Sequence, residues 1–427
     1  MKNFSSFISD LKTLISFKSF RTAPTDGAPF GIETKKALDF FLSVALKFGF
    51  DTINYDGFAG EVVFGEGQEI GVIGHLDVVP TGLGWNSDPF NLTKIGDAYY
   101  ARGIQDDKSP LLLCLYALKE LKDSGIPVNK KFRLIVGCDE ESGWQDVEYL
   151  NSKTTLPEYG FSPDGNFPVS YAEKGITEVI FEFPKLKKFH FLSGGTVLNA
   201  VCDYARCQVD ADAIDLKLLE KHGLTITADR IIESKGKAAH GSQPHLGKNA
   251  LKPLFNYFLD MGEDVKNIVD YLFNDKAEIS QIKTEQGYVT FSPDLLSEKN
   301  GVVTVACDLR IPAPLTIDDL KPKFDTFGIN VKYYTRHQPV LVPKDGWFVK
   351  TLLGAYTSVT GENAEPISLG GSTFSRAFKK GCAFGPAFPG QIDNIHDANE
   401  NVSEENILRA YKIYKTAIFA LANEKNC

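Results

Sequence analysis

The sequence predicts an α/β fold with a mainly parallel sheet, interrupted by an inserted α+β block, and three observations carry that prediction. Apolar runs at 61–64, 70–73 and 132–138 have strand length, and the last is of the kind buried on both faces of a parallel sheet. Stretches whose apolar residues recur at helical spacing alternate with them. At 427 residues the chain also exceeds the roughly 250–300 at which one hydrophobic core stops growing, so two domains are expected.

Taken in order, Phe4, Phe7, Ile8, Leu11, Leu14 and Ile15 recur with helical period, and a second amphipathic helix is expected over 33–48. Gly65-Glu66-Gly67 separates the first two strands. It reads as a turn and not as a phosphate loop, because no helix opens after it. A helix over 109–122 leads to the strand at 132–138, and strand, helix, strand implies parallel pairing. Ligands of such sheets gather outside the carboxyl ends of the strands, where His75 and Asp139-Glu140-Glu141 fall.

From about Gly175 the pattern changes. Segments 177–183, 201–209 and 229–234 alternate like half-exposed antiparallel strands, with helical stretches near 212–221 and 248–260, and 302–311 closes the block before Pro312-Ala313-Pro314. Helix-like and strand-like segments then resume and end in a long helix over 404–422. The expected division is therefore 1–176 and 314–427 for one domain and 177–313 for an inserted one.

Bulk properties narrow the function. With 46 basic and 55 acidic residues the net charge is −9, which disfavours nucleic acid and anionic membranes as partners and suits small, soluble substrates. No apolar run approaches the ~18 residues of a membrane span, and 3–20 holds no cleavable apolar core, so a cytoplasmic protein is expected. Seven scattered cysteines without C-x-x-C spacing read as reduced, buried thiols.

The chemistry-bearing stretches are Gly-His-Leu-Asp-Val-Val-Pro from Gly74, Asp106-Asp107-Lys108, Asp139-Glu140-Glu141, Ser-Pro-Asp-Gly around Asp164, and His-Asp-Ala-Asn-Glu from His396. Each alone has an ordinary reading: a hydrogen-bonded His-x-Asp pair, acids capping a helix, a solvated loop, a turn, an exposed histidine. Together they supply the mixed imidazole and carboxylate donors that a pair of divalent ions requires. Asp77, two residues past His75, is placed to accept the second ring N–H. Glu140, beside a ligand but pointing elsewhere, suits a general base.

These stretches, with Gly-Trp-Asn-Ser-Asp-Pro-Phe (84–90), Ala-Arg-Gly-Ile-Gln-Asp-Asp-Lys-Ser-Pro (101–110), Asp-Glu-Glu-Ser-Gly-Trp (139–144), Ala-His-Gly-Ser (239–242) and Asn-Ile-His-Asp-Ala-Asn-Glu (394–400), resemble the M20 family of metallopeptidases over nearly the full length. Within it the chain is most similar to Xaa-His dipeptidases and PepV-type dipeptidases. The resemblance implies a zinc-peptidase-like catalytic domain interrupted by a lid, with two zinc ions per chain; manganese and cobalt suit similar donors.

It further implies His75 and Asp164 on one metal, Glu141 and His396 on the other, and Asp106 bridging, with Asp107 structural. Glu140 would activate the water between the metals. From the lid, His240 would steady the oxyanion, Asn199 would face the substrate, and Arg310 would grip its carboxylate bidentately, helped by backbone N–H groups at Gly370, Gly371 and Ser372. The lid, at about 135 residues, is shorter than a doubled PepV-type lid and longer than the simplest dimerisation lids. Monomer and homodimer through the lid stay open, as does whether His240 acts in its own chain or a partner's.

The function so implied is metal-dependent hydrolysis of dipeptides. The nearest rival is an N-acyl-amino-acid amidohydrolase with the same metals and base. An inactive binding protein would be expected to lack a ligand or Glu140, and none is missing.

Overall fold

The computed structural model describes residues 1, 3–391 and 394–424, and these form two compact units: the described residues within Met1–Tyr171, Val342–Ile367 and Thr373–Cys427 make up the first, and Ala172–Leu341 and Ser368–Ser372 the second.

The first unit is built on a mixed sheet. Four neighbouring strands, Lys130–Gly137, Gln68–His75, Tyr159–Ser162 and Lys380–Ala383, run parallel, and Ala59–Phe64 and Asp51–Tyr55 extend the edge antiparallel. The fold is thus the α/β one expected, its sheet mixed, with the parallel strands at the centre. Helix Lys108–Ser124 has an almost wholly buried first half, too apolar for a surface helix, and packs against Phe4–Ser16 and Glu404–Leu421. Gly125 ends it in the left-handed conformation at φ 65°, where glycine carries no Cβ penalty. The register sets His75 opposite Gly137, so the chain leaves two adjacent parallel strands at the same edge of the sheet. There lie His75, the loop after Gly137 and the loop after Ser162.

The second unit is an eight-stranded antiparallel sheet in the order Thr225–Ile226, Ile231–Lys235, Tyr204–Val209, Phe189–Gly194, Thr290–Lys299, Val302–Ile311, Gly175–Pro184, Asn330–His337. Helices Leu216–His222, Leu251–Asp260 and Ile317–Phe324 share its apolar core. It reaches beyond the 177–313 read from sequence. The strand Asn330–His337 pairs with Gly175–Pro184, and Pro312-Ala313-Pro314 is a turn inside the unit, leading to a helix capped by a reciprocal Thr316–Asp319 box. Strand Thr290–Lys299 escaped the sequence reading because Pro293 interrupts its pattern. The register shifts at Pro293/Leu295, a bulge of the kind that lets a strand contain proline.

The six described cysteines are buried, as expected of structural thiols; Cys427 lies outside the described residues. Among the described residues no helix is long and apolar enough to cross a membrane.

Phe181 sits at the centre of the second core, its ring 5.4 Å from that of Phe327 and 6.0 Å from that of Phe324. Phe181→Ala is expected to cost about 3–5 kcal/mol, the combined transfer and cavity cost of such a truncation. A urea melt followed by circular dichroism measures it. An unchanged midpoint would show that this core carries none of the stability.

Candidate metal centre

Five predicted donors converge at the carboxyl ends of the first unit's parallel strands. His75, Asp106 and Asp164 present donor atoms within 4.8 Å of one another, and so do Asp106, Glu141 and His396. Asp106 belongs to both groups and divides its oxygens between them. Its Oδ1 lies 2.9 Å from His75 Nε2, and its Oδ2 lies 2.9 Å from His396 Nε2. Asp164 Oδ2 is 3.7 Å from His75 Nε2, and Glu141 Oε1 is 3.1 Å from His396 Nε2.

The chemistry of this set fits divalent cations. His75 Nε2 is fully buried and makes no hydrogen bond, although two carboxylates face it. Each side offers one imidazole and one terminal carboxylate, with a carboxylate shared between them. That is a borderline nitrogen and oxygen donor set suited to zinc and its neighbours.

Neighbouring groups fix these donors. The Asp106–Asp107 peptide is cis. Asp107 turns away from the centre, and its Oδ2 accepts the His75 backbone N–H at 3.2 Å. That approach depends on Gly74, because a Cβ there would lie 2.0 Å from the same oxygen. Asp77 departs from expectation. His75 Nδ1 lies 3.0 Å from the Asp77 backbone carbonyl and 3.4 Å from its carboxylate. The carboxylate instead accepts the N–H groups of Glu140 at 3.2 Å and Glu141 at 3.0 Å. One residue therefore orients both the histidine and the loop carrying the two glutamates. Arg21 secures that loop from outside through Asp139 at 2.7 Å.

Crowded acids govern the electrostatics. Burial pushes the Glu140 carboxyl well up, and the charges of Asp164, Glu141 and Asp106 add to it against the opposing pull of His75. Burial and Asp106 push Glu141 up to about 7. For the histidines burial works in the opposite sense, yet the facing carboxylates, Asp106 foremost, outweigh it, and His396 rises to about 11. The pocket thus favours positive charge at both imidazoles. Beside Asp106 and Asp164 opens a cavity of about 210 Å³ whose lining includes Phe167, Phe388, Gln391 and Ile395, large enough for a side chain.

The remaining candidates lie in the second unit, which gathers several of them. Gly241 N–H donates to Asn199 carbonyl at 2.7 Å, and Ala200 and His240 form a β-bridge. His240 Nδ1 accepts the Ser242 N–H at 3.1 Å, which puts the ring proton of the neutral form on Nε2 and makes that atom a donor. A Cβ on Gly241 would lie 2.3 Å from Asp308 Oδ2, so glycine permits this approach. Asp308 already holds one edge of the Arg310 guanidinium, with Nε at 2.9 Å from both oxygens and Nη2 at 2.9 Å. Only the Nη1/Nη2 end is left for a bidentate partner. Gly370 meets that arginine with its carbonyl, 3.4 Å from Nη1, rather than with its N–H; Gly371 and Ser372 follow it in the chain. Asp308 went unnoticed in the sequence, although it stands two residues before Arg310 and so on the same strand face.

The profile of the peptidase family described as M20/M25/M40 matches residues 71–420. A provisionally named dipeptidase of Staphylococcus haemolyticus is 32% identical over 456 aligned positions, covering 98% of this chain and 97% of the relative. Among solved structures, human carnosine dipeptidase 1 superposes with a TM-score of 0.61 at 15% identity, over 98% of this chain and 96% of that one. A Staphylococcus aureus tripeptidase gives 0.62 at 14% identity, over 99% of each chain. At such identities the two structures speak for the fold alone.

A pH signature follows from Asp294, which is buried near Asp308 and Arg310 in the second unit. Burial raises its carboxyl to about 8; Ser292 holds one oxygen, and the other has no hydrogen bond. Above the ordinary carboxyl value the folded state keeps a proton that the unfolded chain has lost, so stability should fall as pH rises toward 8, by at most about 1.4 kcal/mol per unit. Asp294→Asn should flatten that slope in urea melts. Identical slopes in both proteins would contradict the assignment.

Proposed function

The chain belongs to peptidase family M20/M25/M40, hydrolases of peptide bonds, and from that premise we propose that it cleaves dipeptides with the help of two divalent cations, zinc being the best fit to the donors. The observation carrying this reading is the Asp106 carboxylate, one oxygen turned to His75 and the other to His396. Asp164 completes the first donor group and Glu141 the second.

A bound pair of divalent cations supplies Lewis-acid polarisation to the scissile carbonyl and to water. Glu140 takes the proton of the attacking water and passes it to the leaving amine as the carbon–nitrogen bond breaks. Its raised carboxyl agrees with a group that carries a proton between two partners. Asp77 holds Glu140 and Glu141 through their backbone N–H groups, so it acts by positioning. The cavity beside Asp106 and Asp164 receives a substrate side chain.

Roles for the second unit rest on the resemblance and on local geometry. His240 offers its Nε2–H to the oxyanion, Asn199 faces the substrate, and Gly370, Gly371 and Ser372 border the carboxylate site. The open end of the Arg310 guanidinium pairs with the substrate's terminal carboxylate. An anchor for that carboxylate limits substrate length, which is the physical basis for preferring dipeptides.

The test is amino-acid release from a panel of dipeptides, tripeptides and N-acyl amino acids, before and after chelation and with zinc or manganese restored. Dipeptides should be cleaved best, only in the presence of metal. Glu140→Ala should lower kcat by about 10²–10⁴-fold. Arg310→Ala should raise KM for dipeptides, with little effect on substrates lacking the free carboxylate. Faster cleavage of N-acyl amino acids would move the protein to the amidohydrolases, and no metal-dependent turnover would refute the peptidase reading.

A further inference from the structure

Glu400 plays no part in the chemistry above, yet its carboxylate is completely enclosed and every bond it makes lands on the segment leading to Asp106. Its Oε1 accepts the N–H of Gln105 at 2.8 Å and of Asp106 at 3.4 Å. Its Oε2 accepts the N–H of Gly103 at 2.9 Å and Arg102 Nη1 at 2.8 Å. Arg102 is also buried, at 1% exposure, and sends its other arm, Nη2, to the carbonyl of His396 at 3.1 Å. Gln105 Nε2 adds a second tie to the same loop through Asn394 Oδ1 at 2.7 Å.

The local topology explains the meeting. Ala98–Tyr100 and Asn401–Ser403 pair antiparallel, and Ala101 N–H donates to the Glu400 carbonyl. In an antiparallel pair the residues after one strand lie beside those before the other, so 101–106 and 396–400 emerge at one end. His396 has φ 65°, a left-handed conformation that a residue other than glycine rarely keeps without support. The Arg102 arm supplies that support at the His396 carbonyl.

A buried ion pair is weak evidence for stability, because apolar residues of similar size often serve as well. Stability alone gives no reason for one carboxylate to gather three backbone N–H groups between Gly103 and Asp106 while its arginine holds His396. We propose that Glu400 and Arg102 are a positioning pair that fixes Asp106 and His396 relative to each other, and thereby sets the affinity of the cation site formed by Asp106, Glu141 and His396. This inference rests on the two-cation reading of the centre.

The experiment is zinc titration against a chromophoric chelator for the full-length wild type, Glu400→Gln and Arg102→Lys, with thermal melts of each protein in chelator. Arg102→Lys keeps a charge opposite Glu400 but loses the fork that reaches His396, so it decides the matter should Glu400→Gln fail to fold. Glu61→Gln is the control; it breaks another buried pair of the same unit, Glu61 with Arg133 at 2.5 Å, and lowers the melt without touching the five donors. Both test variants should bind one of the two ions about 10–100-fold more weakly, as loss of such supporting contacts does at other metal sites, while Glu61→Gln binds normally. Two ions bound with unchanged affinity by Glu400→Gln and Arg102→Lys would overturn the positioning role alone. A wild type that binds no pair of ions would overturn the two-cation reading and this inference with it.

Discussion

The structure of the first unit is governed by the packing of Asp106, Glu140, Glu141 and Asp164 into one pocket. Two unit charges 4 Å apart repel by about 4 kcal/mol at an effective dielectric near 20, and Asp106 has donor oxygens within 4.8 Å of those of both Asp164 and Glu141. The histidines answer part of this, for the facing Asp106 carboxylate raises both rings well above their ordinary value. A pair of divalent cations would answer it more fully. The pocket is thus expensive without positive charge, and that constraint explains why so much surrounding structure is spent on holding acids in place.

That holding is done mainly by backbone groups. Asp77 receives two N–H groups from the glutamate loop, Asp107 receives that of His75, and Asp146 receives those of Cys138 and Asp139. Each pins a loop at the end of a parallel strand, where successive strands deliver residues far apart in sequence to one edge. The second unit repeats the device with different chemistry, Asp308 fixing one edge of Arg310 so that the other end keeps a defined direction.

Much of this was legible in the sequence, because strands buried on both faces read as unbroken apolar runs and because His75, Glu141 and Asp164 follow directly from strand ends. The helices at 33–48 and 109–122 show their period openly and appear within a residue or two as Ile32–Lys47 and Lys108–Ser124. What stayed hidden depends on contacts between distant segments. Pro293 masked a strand whose bulge only the partner Val302–Ile311 reveals. The direction of the Asp77 carboxylate depends on a loop more than sixty residues downstream. The loss of one Arg310 edge to Asp308 required knowing which way both side chains turn. The limit of the second unit was misplaced at Pro312-Ala313-Pro314, since proline marks a turn without saying whether the chain leaves the domain.

The most direct measurement is anomalous diffraction at the zinc edge from crystals grown with the metal. The account requires two peaks, one contacting His75 and Asp164, the other contacting Glu141 and His396, with Asp106 touching both. A single peak, or ions bound away from Asp106, would contradict it.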